Sequence, residues 1–269
     1  MMKFLRISGQ DKLKLPYNLR SNQQEIIDTI EKGLQSKNHI VIEAPTGSGK
    51  TFTSLASSLP FVINKSYKII YCVRTNSQQE QVIRELKAFK DSGNNFSVVA
   101  IQGRQSMCPQ QKDDDELAKS NWSEKSKICK SLKLQSKLGE AGCPYYRKLL
   151  RPTKSLIDRW SSEIYSAEEF TANAESENLC PYELNKLLLK EAQIVIVPYV
   201  YFFEDFIRKY LLGWMDTTID KIITIVDEAH NLPDWSREAA SESLSAVSYT
   251  HLRAHETVLD LVCRLLLEK

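Results

Sequence analysis

Ala44-Pro-Thr-Gly-Ser-Gly-Lys-Thr51 is the stretch that decides the fold. It follows a short β-branched run, His39-Ile-Val-Ile-Glu43, and precedes a helical pattern over 52–59. A strand–loop–helix turn of this kind aims consecutive backbone N–H groups and a helix N-terminus at a phosphate. Thr46, Gly47, Ser48 and Gly49 form the cradle, and the two glycines let the backbone approach the anion closely. Lys50 would reach the β- and γ-phosphates of ATP, and the Thr51 hydroxyl would bind Mg²⁺. Ala44 stands where a first glycine is usual.

Outward from the loop, residues 20–34 carry Ile26, Ile27, Ile30 and Leu34 at helical spacing, with Gly33 near the end. The run 39–43 reads as a buried strand. A second strand is expected over 67–73, followed by a Gln-rich helix through Leu86, and a third strand over 96–102. Two further apolar, β-branched runs lie at 192–197 and 221–226. Strands alternating with helices predict an α/β fold, a parallel sheet with helices on both faces. Between 103 and 189 the pattern changes to a polar, Lys-rich stretch with poor strand signals and four of the cysteines, which reads as an insertion.

The 269 residues are 42% hydrophobic and 26% charged, which excludes a disordered tail, a collagen-like repeat and a small disulfide scaffold. Lys+Arg 36 against Asp+Glu 34 leaves +2, so any polyanion site is a local patch. The longest apolar run, 192–203, is broken by Gln193 and Pro198 and is too short to span a bilayer. The start, 1–15, has neither an apolar core nor a small-residue cleavage site. Six cysteines without a secretion signal point to a reducing cytosol, as free thiols or metal ligands.

A second constellation, Asp227-Glu-Ala-His230, follows Ile222-Ile-Thr-Ile-Val226 directly. The carboxyl end of a buried parallel strand is where such a sheet places its site. Asp227 would hold Mg²⁺ through water, and Glu228 would orient or deprotonate the water that attacks the γ-phosphate in line. His230 alone reads as a structural or surface histidine; within the tetrad a coupling role fits better.

Cys108, Cys129, Cys143 and Cys180 fall in the insertion, and three of them precede proline. Cys72 lies in an expected core strand as a small hydrophobe. No Cys-x-x-Cys pair is present, which argues against a zinc ribbon. Two readings stay open on the residues: unrelated buried thiols, or the ligands of a [4Fe–4S] cluster, for which Cys-Pro is a familiar neighbourhood.

The two nucleotide motifs together resemble superfamily 2 helicases of the DEAH type, in which Ala replaces the first loop glycine. Arg20-Ser-Asn-Gln23 is similar to their adenine motif, and Arg74-Thr75 to the motif that touches the nucleic-acid backbone. Four single cysteines between the phosphate loop and the DEAH strand resemble the XPD family of iron–sulfur DNA helicases, with Gly103-Arg104 matching as well. The resemblance covers about 20–244. It implies a RecA-like P-loop lobe over 1–103 and 190–246, interrupted by an iron–sulfur domain over 104–189. It further implies ATP, Mg²⁺ and a [4Fe–4S] cluster on Cys108, Cys129, Cys143 and Cys180. The partners expected are single-stranded and forked duplex DNA, with no membrane, for a monomeric 5′→3′ motor in DNA repair. Its place would be the cytoplasm, at the nucleoid if archaeal or bacterial. Arg104 would lie near the cluster and DNA; a solvated arginine is the alternative reading.

That family needs a second motor lobe, and nothing after Asn231 carries one, so an N-terminal fragment inactive as a helicase is expected. Residues 247–269 resemble translated sequencing-adapter read-through and are expected to be non-native. A DinG-like or RNA-directed DEAH ATPase is one alternative. A metal-stabilised nucleic-acid binding module with a vestigial phosphate loop is another.

Overall fold

The computed structural model describes residues 13–113 and 122–240. The chain divides after Asp227 into a large unit and a second unit that begins at Glu228.

In the large unit, β1 (Lys68–Val73), β2 (Val98–Ala100), β3 (Ile194–Pro198) and β4 (Ile222–Val226) form one sheet in the order β2-β3-β1-β4. Every pairing is parallel, with Ile69 opposite Ile194 on one side and Ile223 on the other. β1 and β3 read as unbroken apolar runs because both of their faces are covered. The covering helices include α1 (Gln23–Gln35), α2 (Lys50–Lys65) and α3 (Asn76–Asp91). Leu55, Ala56 and Leu59 of α2 and Val82, Leu86 and Phe89 of α3 lose all solvent contact. Phe52 stacks on Phe89 at 5.4 Å, tying α2 to α3. The α/β parallel-sheet architecture expected of the sequence is the one found.

One strand is not. His39-Ile-Val-Ile-Glu43 pairs with no described strand, and Val41 is 96% exposed. The reason lies at the sheet edge. β4 is an outer strand whose side chains are mostly half-buried, and its far side has no partner among the described residues. A β-branched run needs a neighbouring ladder before its apolar side chains can be buried.

Between β2 and β3 the regular elements described are all helices: α4 (Gln110–Asp113), α5 (Trp122–Lys137), α6 (Pro144–Arg147), α7 (Lys154–Ser162), α8 (Ala167–Ser176) and α9 (Pro181–Leu188). It builds a small core of its own in which Trp160 meets Phe170 edge-on at 4.9 Å. Asn185 of α9 donates to the Ala100 carbonyl of β2 at 3.2 Å, and Lys87 of α3 meets Glu169 of α8 at 2.8 Å. The chain leaves β3 through α10 (Tyr199–Phe203) and α11 (Asp205–Trp214) before entering β4.

The second unit, as described, is a short 3₁₀ turn, Ala229–Asn231, followed by α12 (Leu232–Ala240). The tail read as non-native lies outside the described residues. Among those residues no helix is long and apolar enough to cross a membrane.

Candidate functional site

The phosphate loop has the backbone its glycines predict. Gly47 and Gly49 sit at φ +80° and +87°, and Lys50 opens α2 directly after them. A Cβ at Gly49 would come within 2.4 Å of Gln23 Nε2, a movable side-chain end, so it is the left-handed backbone that calls for glycine there. Arg20 Nη1 donates to the Gly47 carbonyl at 2.8 Å, and Gln23 Nε2 donates to the Ser48 carbonyl at 3.0 Å. The Lys50 ammonium donates to the Ala44 carbonyl at 2.9 Å, and Thr51 is buried in the first turn of α2. Thr46 is exposed, while the Ser48 hydroxyl is buried without a hydrogen-bond partner. The structure therefore gathers Arg20, Gln23 and residues 44–51 into one cradle.

Two more predicted residues leave the carboxyl end of β1. Arg74 and Thr75 are exposed, and Thr75 caps α3 through a reciprocal box with Gln78, whose side chain accepts both of their amides at 2.9 and 3.0 Å. Cys72 of β1 lies opposite Val226 of β4, so Asp227 emerges beside the same sheet end. The Asp227 amide donates to the Cys72 carbonyl at 3.0 Å. Its carbonyl accepts the hydroxyl of Tyr199, a residue only 2% exposed. The Asp227 main chain is thus held from both neighbouring elements. Tyr199→Phe is expected to cost about 1–2 kcal/mol of stability through the unpaired carbonyl, read as a lower urea midpoint at unchanged slope.

In the second unit Glu228 takes a left-handed conformation at φ +49°. Its carbonyl accepts both the backbone amide and the side-chain amide of Asn231, at 2.9 and 3.1 Å. His230 Nδ1 lies 3.2 Å from the Glu228 carboxylate on an exposed surface.

Cys108, Cys129, Cys143 and Cys180 are free thiols, none fully exposed, that gather in one region of the insertion. The Cys108 thiol lies in the electrostatic field of Cys129 and Cys143, Cys143 in that of Cys129, and Cys180 in those of Cys143 and Cys108. A cavity of about 40 Å³ opens between Arg104, Cys108, Lys125, Cys129, Leu132 and Cys143. Burial pushes the thiols of Cys108 and Cys143 up and that of Cys180 to about 12. The prolines explain themselves here. Cys143 and Cys180 stand immediately before α6 and α9, with Pro at the first helical position, where its missing N–H costs nothing. The amides of Tyr145 and Tyr146 face the Cys143 thiol, and that of Glu183 faces Cys180, too loosely for capping bonds, and offset part of the burial. Among the described residues no three His, Cys, Asp or Glu side chains are arranged to hold a single metal ion.

Arg104 is not a solvated side chain. Its guanidinium donates to Ser126 at 3.2 Å, lies 5.0 Å from the centre of the Tyr182 ring, and keeps a buried Nε without a partner. Beside it Glu183 takes Lys133 at 2.8 Å and Lys186 at 3.5 Å. Burial raises the Glu183 carboxyl, but those two cations outweigh it and hold the group below its usual range. The Tyr199 bond to Asp227 and the Glu183 pair with Lys133 carry no signal in the sequence spacing, because each joins residues far apart along the chain.

Residues 71–248 match the DEAD_2 family. The chain is 26% identical over 272 residues to a regulator of telomere elongation helicase 1 homolog of Arabidopsis thaliana, covering 87% of this chain and 24% of that protein. It is 24% identical over 253 residues to the general transcription and DNA repair factor IIH helicase subunit XPD of the same plant, covering 87% and 32%. Two solved structures share the fold. An XPD helicase matches at TM-score 0.55 and 23% identity, over 82% of this chain and 34% of the other. A truncated XPD matches at TM-score 0.55 and 24% identity, over 83% and 57%. The chain spans a quarter to a third of the length of these curated relatives.

Proposed function

The chain belongs to the DEAD_2 family, and on that premise we propose that it supplies the first motor lobe of an ATP-dependent 5′→3′ DNA helicase of the XPD type. The observation that carries the reading is the cradle of Arg20, Gln23 and residues 44–51 on the end of α2. Its backbone N–H groups and Lys50 bind the β- and γ-phosphates. Thr51 and Asp227 hold Mg²⁺, which neutralises phosphate charge when bound. Arg20 and Gln23 take the adenine. Glu228 accepts a proton from the attacking water, and His230 relays that event to the rest of the motor. Arg74 and Thr75, exposed at the sheet end, take the single strand's backbone.

The lobe runs over 1–103 and 190–246, with a cysteine domain over 104–189 and a non-native tail from 247. The residues of that domain fit a cluster. Cys108, Cys129 and Cys143 line a small cavity, and the Cys180 thiol lies in the field of Cys143 and Cys108. Cys108, Cys129, Cys143 and Cys180 would hold a [4Fe–4S] group, which would staple the helices that carry them. Arg104 sits beside it and braces the DNA channel. Single-stranded and forked DNA are the partners, for a monomeric motor in DNA repair in the cytoplasm, nucleoid-associated if the source is archaeal or bacterial.

The test is ATP hydrolysis by the full-length protein with and without nucleic acid. Turnover stimulated at least about tenfold by single-stranded DNA, with no response to RNA, is expected. An equal RNA response favours an RNA-directed motor, and no stimulated turnover favours a binding module.

A further inference from the structure

Three of the four cysteines do not hang on independent loops. α5 carries Cys129, and two helical turns later it presents Ser136, which is only 3% exposed. The Ser136 hydroxyl donates to the Leu132 carbonyl at 2.9 Å and accepts the Cys143 amide at 2.9 Å. The same amide lies 3.3 Å from the Leu132 carbonyl. From the far side, Arg147 returns its backbone amide to the Cys143 carbonyl at 3.1 Å, and its guanidinium holds the Glu140 and Ala141 carbonyls. The Cys180 amide donates to the Tyr145 carbonyl at 2.9 Å, which attaches a third cysteine to the same turn.

Two glycines shape this turn, and they differ. Gly139, at φ +84°, has nothing within 4 Å of a notional Cβ. It acts as an ordinary left-handed helix stop. Gly142, at φ +49°, would place a Cβ 2.2 Å from Ser136 Oγ, 2.5 Å from Ser136 N and 2.6 Å from the Leu132 carbonyl oxygen. Two of those atoms are helical backbone and cannot give way. The chain reaches Cys143 by pressing its backbone flat against the last turn of α5, and only glycine allows that approach.

We propose that Ser136 and Gly142 form a metal-independent clasp that fixes Cys143, and with it Cys180, against the helix bearing Cys129. The two are positioning residues of the cysteine site. The clasp presets three of the four thiols before any iron or zinc arrives. Its relevance to metal rests on the cluster reading given above; its existence does not.

Hydrogen exchange on the metal-free 269-residue chain tests the clasp directly. The Cys143 amide should be protected in the parent and in Gly139→Ala. It should lose at least about tenfold protection in Gly142→Ala and in Ser136→Ala. Circular dichroism checks that each variant is folded, and Ser136→Ala serves if Gly142→Ala is not. Reconstitution with ferrous iron and sulfide then reads the consequence, a drop of at least about fivefold in bound iron for Gly142→Ala relative to Gly139→Ala. An unprotected Cys143 amide in the parent, or equal behaviour of the two glycine variants, would overturn the proposal. A protected amide in a chain that takes up neither iron nor zinc would uphold the clasp and remove the cluster reading instead.

Discussion

Lys50→Ala is expected to lower ATP turnover by the full-length protein at least about 100-fold. The expectation follows from where the loop's cations sit. Arg20 is engaged on the Gly47 carbonyl and Gln23 on the Ser48 carbonyl, so neither is placed to replace a lysine at the terminal phosphates. Lys50 itself rests 2.9 Å from the Ala44 carbonyl, spanning the loop from its end to its beginning. In the nucleotide-bound reading it exchanges that carbonyl for phosphate oxygens, a charge-assisted contact roughly twice as strong as a neutral one. Alanine removes both the resting bridge and the cation that meets the developing charge. Hydrolysis measured with saturating single-stranded DNA checks it, and an unchanged rate would refute the assignment of the loop.

The second large effect concerns the cysteine domain. The 269-residue chain purified without oxygen is expected to be brown and to carry about four iron atoms. Cys180→Ser should then lose most of that iron and its visible absorbance. Cys180 is the sharpest choice because it is the most deeply buried of the four thiols, with burial holding it up to about 12. A bound metal would favour its thiolate, and serine offers a far weaker ligand in the same buried place. Because ligand binding and folding of such a domain are linked, the variant should also melt earlier. Colourless parent protein containing one zinc ion would overturn the cluster and leave the four ligands in place.

The phosphate loop and the central strands are legible in the residues because their physics is local. Glycine spacing sets φ at 47 and 49, and unbroken apolar runs mark β1 and β3 as doubly covered. The run 39–43 departs from its expected strand for the opposite reason. Its composition is that of a buried strand, but burial depends on a neighbour, and no pattern inside five residues says whether one is there. Cys-Pro was visible as a motif, whereas its mechanical sense, a thiol at the mouth of a short helix, required the helix. The Tyr199 bond to Asp227 and the Ser136 bond to Cys143 connect residues whose types are ordinary and whose separation carries no period. His230 and Glu228 are two positions apart in the sequence, yet their 3.2 Å contact depends on a left-handed turn that no glycine announces.

The unladdered run before the phosphate loop has a thermodynamic consequence. On its far side the loop is bolted to α2, but on its near side it hangs from residues without sheet hydrogen bonds, with Val41 96% exposed. On the nucleotide reading proposed above, a bound ligand would order backbone that a completed sheet would already hold, at roughly 1–2 kcal/mol per residue ordered. Anything that pairs with 39–43 restricts the loop before the ligand arrives and so raises its affinity without touching it. By reciprocity, bound nucleotide would tighten that pairing to the same degree. Affinity for ATP and closure of the sheet are then two readings of one coupling free energy.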